Sequence, residues 1–133
     1  RDYFMETSHK ILLIEDDPFL SLLLKNRLIK EGLEVINARD GEEAVEFLKG
    51  DKVDLALLDI ILPKKSGFEV LEEIRNDPQI QNSAIPIFII SNLGQPEDVS
   101  KGYKLGAIEY FIKAKTSIDD LVQKIKDFLV LAK

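Results

Sequence analysis

The sequence predicts an α/β fold, a doubly wound five-stranded parallel sheet, on three observations. Five apolar runs of strand length alternate strictly with five helical patterns. The middle runs ("LALL", "IPIFII") are apolar without interruption, as strands covered on both faces must be. The 133 residues contain no repeat, low-complexity tract or long linker, which fits one domain.

In chain order, strand β1 is expected at 10–15 (KILLIE), β2 at 34–38 (EVINA), β3 at 54–58 (DLALL), β4 at 85–90 (IPIFII) and β5 at 109–112 (EYFI). Helix α1, 18–31, has Pro18 in its first turn and an inward face of Phe19, Leu20, Leu23, Leu24 and Leu28. Gly32 is placed to end it in a left-handed conformation. Asp17 reads as a helix-start acid rather than a ligand, because acids favour helix N-termini. Helix α2, 41–49, follows Asp40 as N-cap and turns Ala44, Val45 and Leu48 inward. Helix α3, 67–76, buries Val70, Leu71 and Ile74 and stops at "RNDP". Helix α4, 96–104, is opened by Pro96 and is less apolar; lying between "LGQP" and "LGAIE", it is the expected mobile segment. Helix α5, 117–131, buries Leu121, Val122, Ile125, Phe128 and Leu129, with Thr116 or Ser117 and Asp119 or Asp120 as capping chemistry. Residues 1–8 are expected to be a disordered N-terminus or an expression scar ahead of a domain at 9–133.

Composition narrows the function. With no cysteine there are no disulfides, thiolate chemistry or Cys-ligated zinc. Eighteen Lys and Arg against 24 Asp and Glu give −6, which argues against a nucleic-acid surface. No apolar run reaches a membrane span and no signal peptide leads the chain, so no membrane partner and a cytoplasmic location are expected. His9, the single histidine, cannot make a metal site alone and is expected to be solvated.

Open parallel sheets bind ligands beyond the carboxyl ends of their strands. Glu15, Asp16 and Asp17 follow β1, Asp59 follows β3, Ser91 and Asn92 follow β4, and Lys113 follows β5. Asn37, Ala38 and Arg39 at the end of β2 offer nothing notable. Oxygen ligands without His or Cys suit a hard cation, Mg²⁺ or Mn²⁺, with Asp16 and Asp59 as direct ligands. A carboxylate can also attack phosphorus to form an acyl phosphate. Phosphoryl transfer needs positive charge on the transferred oxygens, which a cation and Lys113 would supply while Ser91 donates a hydrogen bond.

The ordered set "ILLIEDDP", "DLALLDIILPKKSGFEVL", "IPIFIISN" and "GAIEYFIKAK" resembles the CheY-like receiver domain of two-component response regulators, from about residue 9 onward. The resemblance implies a flavodoxin-like (βα)5 fold with strand order 2-1-3-4-5. It implies that Asp59 accepts phosphate from a histidine kinase, a phosphotransfer protein or a small acyl-phosphate donor. It further implies Mg²⁺ held by Asp16, Asp59 and the Ile61 backbone carbonyl, with Glu15 assisting. Ser91 falls on the hydroxyl that follows phosphorylation, Lys113 on the family's lysine, and Tyr110 on the switch aromatic that turns inward. Pro63 and Gly67 shape the loop beyond Asp59, and Lys64 and Lys65 read as a solvated pair. A downstream protein would read the α4-β5-α5 surface, through which the chain would be a monomer or a dimer. With no output domain after Lys133, the effect would pass through another protein unless the chain is a fragment.

Three residues depart from the family pattern. Glu15 stands where Asp is commoner. Asn92 is bulkier than usual and, with Ile61, would modulate access to Asp59. Ala114 replaces a proline that follows a cis bond, and a cis Lys113–Ala114 peptide is expected. Three rival readings compete with a phospho-acceptor switch. An aspartyl-phosphate phosphatase would need a second Asp where Ile61 stands. A flavodoxin-like binding module would need a phosphate-cradling loop where three acids stand. A pseudo-receiver would never be phosphorylated.

Overall fold

The computed structural model describes residues 8–80 and 84–131. The expectation for residues 1–8 lies outside them except at Ser8. The elements are β1 (Lys10–Ile14), α1 (Pro18–Lys30), β2 (Glu34–Ala38), α2 (Gly41–Gly50), β3 (Leu55–Leu58), α3 (Gly67–Asn76), β4 (Ile87–Ser91), α4 (Pro96–Lys104), β5 (Glu109–Ile112), a 3-10 turn (Lys113–Lys115) and α5 (Ile118–Leu131). The five strands pair in parallel in the order β2-β1-β3-β4-β5, as predicted. The winding reverses between β1 and β3, so their carboxyl ends flank the crevice where such sheets bind ligands.

Alternate side chains of each strand enter two cores, which is why the strands lack a polar face. Ile11, Leu13, Leu55, Leu57, Phe88 and Ile90 meet Leu24 and Leu28 of α1 and Leu121, Val122, Ile125 and Leu129 of α5. Leu12, Ile14, Ala56, Leu58, Ile87 and Ile89 meet α2 and α3 through Val45, Leu48, Val70, Leu71 and Ile74. Each fully buried aliphatic side chain is worth about 1.5–3 kcal/mol relative to exposure. The Phe88 ring meets Phe111 and Phe128 edge-on, with centroids 5.7 and 5.4 Å away.

Helix α1 departs from expectation. Its inward row is Ser21, Leu24 and Leu28, with Leu20 half-buried, while Phe19 and Leu23 are 85% and 48% exposed. Each residue step turns a helix by about 100°. With the 20–24–28 row on the sheet, positions 19 and 23 swing outward. The end of the helix is as predicted: Gly32 has φ +88°. Leu33 N–H donates to the Leu28 carbonyl at 3.2 Å and Gly32 N–H to Ile29 at 2.9 Å, a Schellman closure.

The caps follow the sequence with refinements. Asp17 accepts from Phe19 N–H at 2.9 Å, and Asp40 from Glu43 N–H at 2.8 Å. Ser66 and Glu69 form a reciprocal capping box at the start of α3. At α5, Ser117 accepts from Asp120 N–H at 3.0 Å, while Thr116 instead donates to the Ile112 carbonyl at 2.9 Å. Helix α4 buries only Gly102. It is attached by the Lys101 ammonium, 4.7 Å above the Phe68 ring, and by the Tyr103 hydroxyl, which accepts Tyr110 N–H at 3.2 Å. His9 is half-buried rather than solvated, and its carbonyl accepts Glu34 N–H at 2.9 Å.

Candidate functional site

The acids after β1 are held from below. Glu15 N–H donates to the Ala38 carbonyl at 3.0 Å. Its own carbonyl accepts from the Ser21 hydroxyl at 3.2 Å and from Asn37 Nδ2 at 3.3 Å. Asn37 Nδ2 also reaches the carbonyls of Leu13 and Ala38 at 2.9 and 3.2 Å, so the end of β2 does matter to the site. On the neighbouring strand, Asp59 N–H donates to the Ile14 carbonyl at 3.0 Å, which fixes the two acidic strand ends side by side.

Glu15 and Asp59 are buried, 1% and 4% exposed, while Asp16 is exposed. Each offers a carboxylate oxygen, and these three oxygens lie within 4.8 Å of one another. Lys113 closes the cluster: its Nζ donates to Asp59 Oδ2 at 2.7 Å and lies 2.9 Å from Glu15 Oε1. Asp59 Oδ1 accepts Ile61 N–H at 3.2 Å, and Glu15 Oε2 accepts Asp17 N–H at 3.1 Å. The Lys113–Glu15 contact is an ion pair without hydrogen-bond geometry, so Oε1 remains a buried acceptor with no donor.

The electrostatics follow from this crowding. Burial pushes the Glu15 carboxyl up, and the like charge of Asp59 adds to it, against the opposing pull of Lys113. Burial pulls Lys113 down, but bonding to Asp59 and Glu15 outweighs it and holds the ammonium above its usual range. Three carboxylates and one ammonium leave −3 + 1 = −2 formal charges. A hard divalent cation fits this set of oxygen donors and its net negative charge.

The loop after β3 approaches closely. Gly67 N–H donates to the Ile60 carbonyl at 2.8 Å, and a Cβ on Gly67 would lie 2.6 Å from Ile60 Cα. Lys64 adopts φ +68°, a left-handed conformation that costs a non-glycine residue about 1–2 kcal/mol. It and Lys65 are not merely solvated: Lys64 pairs with Asp40 at 3.5 Å and Glu42 at 3.6 Å, and Lys65 with Glu73 at 3.0 Å. Ile61 stands 58% exposed at the rim, and Asn92 is exposed.

The remaining residues arrive from β4 and β5. Ser91, fully buried, is the last residue of β4 rather than the first beyond it, and its Oγ accepts Leu93 N–H at 3.2 Å. Tyr110 is half-buried, and its hydroxyl donates to the Leu93 carbonyl. Burial, with the charges of Asp98 and Asp59, pushes its phenol up to about 12. The expected cis peptide is absent: Lys113–Ala114 is trans, as are all described peptide bonds. An Xaa–Ala amide favours trans by about 2.5–4 kcal/mol. The 3-10 turn brings the ammonium to Asp59 without the cis bond.

A family model described as the response regulator receiver domain matches residues 11–126. The chain belongs to that family. Among relatives of this receiver domain, the transcriptional regulatory protein CpxR of Klebsiella pneumoniae is 40% identical over 121 residues, 91% of this chain and 49% of CpxR. The chain thus spans about half the length of that curated relative. The phosphorylated cyanobacterial phytochrome response regulator RcpA superposes with a TM-score of 0.77 at 33% identity, covering 92% of this chain and 91% of RcpA. The Mn²⁺-bound response regulator Rcp1 gives 0.78 at 33% identity, covering 91% and 94%. The receiver fold and strand order expected from the motifs therefore stand. Among the described residues no helix is long and apolar enough to cross a membrane.

Proposed function

We propose that this receiver domain is a phospho-acceptor switch modified on Asp59. The observation that carries the reading is the Lys113 ammonium, 2.7 Å from Asp59 Oδ2 within a cluster of three acids. The phosphorylated and Mn²⁺-bound states named for RcpA and Rcp1 support it by similarity.

An Asp59 carboxylate oxygen attacks the phosphorus of a phosphohistidine or an acyl phosphate. The new O–P bond forms as the P–N or P–O bond breaks, and the electron pair departs with the imidazole or carboxylate. Lys113, protonated throughout the physiological range, moves its ammonium from carboxylate to phosphoryl oxygen and offsets the developing charge. The Ser91 hydroxyl, whose proton is not engaged by any described residue, donates to another phosphoryl oxygen. Bound at Asp16, Asp59 and the Ile61 carbonyl, with Glu15 assisting, Mg²⁺ or Mn²⁺ would supply positive charge to the same oxygens. Asn92 and Ile61, exposed at the rim, would set how freely a donor or water reaches Asp59.

Withdrawal of Ser91 and Lys113 toward the phosphoryl group would shift the population of the segment from Ser91 to Lys113, including Tyr110, and thereby the α4-β5-α5 surface. A histidine kinase or phosphotransfer protein is the proposed donor and another protein the reader, with no turnover of a further substrate. The acidic balance speaks for this domain alone; CpxR is named a transcriptional regulator, and the output of a longer protein could be transcription.

Incubation with Mg²⁺ and acetyl phosphate should add one phosphoryl group, detected by intact mass and lost in Asp59→Asn. An unmodified wild-type protein that also ignores beryllofluoride would leave the pseudo-receiver reading in its place.

A further inference from the structure

Lys113 aims its ammonium at Asp59 from a stretch of backbone that does little to hold itself. It opens the 3-10 turn Lys113–Lys115, which buries no residue, and Ala114 and Lys115 are exposed. Neither a proline ring nor a cis bond restricts the dihedral angles of Ala114. The backbone bond closing the turn, from Thr116 N–H to the Lys113 carbonyl, is 3.4 Å long, beyond the usual range of about 2.7–3.2 Å. Lysine carries its charge on a flexible stem, so freedom at the root adds to freedom at the tip.

The Thr116 side chain supplies the firmer closure. Its hydroxyl donates to the Ile112 carbonyl at 2.9 Å, so one short bond spans the turn from the last residue of β5 to the first residue beyond the turn. Ile112 is half-buried and in register with Ser91 at the end of β4, which ties that carbonyl to the sheet. Thr116 is half-buried too, and with Lys113 it borders a small space of about 60 Å³ walled by Leu20, Leu24, Ile90 and Ile118. Branching at Cβ leaves threonine few rotamers, which favours a fixed hydroxyl direction. The adjacent Ser117 caps α5 by accepting Asp120 N–H at 3.0 Å, so the helix does not need Thr116 for that purpose.

We propose that Thr116 is a positioning residue for phosphoryl transfer, its hydroxyl holding the Ile112 carbonyl so that the turn between them aims Lys113 at Asp59. The inference deepens the phospho-acceptor reading and rests on it. Before transfer the bond keeps the ammonium on the Asp59 carboxylate, 2.7 Å from Oδ2. During transfer it limits the arc through which the ammonium moves to a phosphoryl oxygen. Thr116 touches neither donor nor phosphoryl group and acts through Lys113 alone. A hydrogen bond thus does here what the proline ring of the family pattern would do covalently.

Thr116→Val removes the hydroxyl and keeps the branched shape, whereas Thr116→Ser keeps the hydroxyl. At saturating Mg²⁺ and acetyl phosphate, Thr116→Val should be modified about tenfold more slowly at an unchanged half-saturating donor concentration, and Thr116→Ser should stay within about twofold of wild type. Thr116→Ala should repeat the loss. In a Lys113→Met background the valine change should slow modification no further, because residues acting as a unit are not additive. The Lys113 ammonium resonance, followed in the unphosphorylated full chain, should be alike in wild type and Thr116→Ser and broadened in Thr116→Val. Amide shifts of Ile125 and Leu129, in the core beneath α5, report that each variant is folded. A wild-type rate in Thr116→Val, an equal further loss in the Lys113→Met background, or an undisturbed Lys113 resonance would overturn the positioning role and leave the acceptor reading standing. A wild-type protein that takes no phosphoryl group would remove both.

Discussion

Replacing Gly67 with Ala adds one methyl group at the most crowded backbone approach around the acids. That Cβ would lie 2.6 Å from Ile60 Cα and against the Asp59 carbonyl, where ordinary carbon contacts begin near ~3.5 Å. About 1 Å of movement is therefore required, and backbone rather than a flexible side-chain tip must supply it. Overpacking of this kind costs about 1–3 kcal/mol, and a backbone obstacle places Gly67→Ala at the upper end. The same displacement falls on Asp59, and a misplacement of ~1 Å can slow a positioned reaction about 10²-fold. Urea unfolding should show the stability loss, and acetyl phosphate modification at saturating Mg²⁺ the slower rate. Gly50→Ala is the control, since nothing lies within 4 Å of its added Cβ at the end of α2; it should gain about 0.5–1 kcal/mol. A Gly67→Ala protein as stable and as quickly modified as wild type would refute the reasoning.

Gly32→Ala should cost about 1–2 kcal/mol in the same unfolding assay although its Cβ meets open space, because the φ of +88° penalises any side chain. Mg²⁺ at a hundredfold excess over its dissociation constant should add about 2.7 kcal/mol to wild-type stability, and far less to Asp16→Asn. Tyrosinate absorbance should show Tyr110 ionising near pH 12. The folded protein then keeps a proton that the unfolded chain sheds from about 10, so stability is lost as pH climbs through that window. Lys113, also raised, adds to the loss above its usual 10.5, and a Tyr110→Phe protein should decline less steeply.

Glu15, Asp16, Asp59 and Lys113 were legible because position at a strand end, one coordinate along the chain, almost determines position in space once the winding is known. Asn37, Ser21 and Arg75 were not. Asn37 and Ser21 act on backbone carbonyls 24 and 6 residues away in sequence. Arg75 joins the Ile85 carbonyl at 2.8 Å to the Gly106 carbonyl at 2.9 Å, tying the C-terminal end of α3 to the entrances of two strands. Such bonds leave no periodic trace; a polar residue inside a strand or an inward helix row is the only hint. The inward assignment of Phe19 and Leu23 failed because hydrophobicity alone could not separate a face that packs internally from one that does not. The cis peptide was inferred from what proline does elsewhere, and the alanine obeyed its own amide preference.

Where α4 should bury a row of side chains against the sheet, it presents Gly102, beside which the Tyr110 ring and Ile89 leave no space for a Cβ. Because it plugs no hole in the interior, few packed atoms resist its displacement, and such weakly anchored units open at free energies well below that of global unfolding. A message carried by this helix could be rewritten many times while the hydrophobic layers beneath it stay shut.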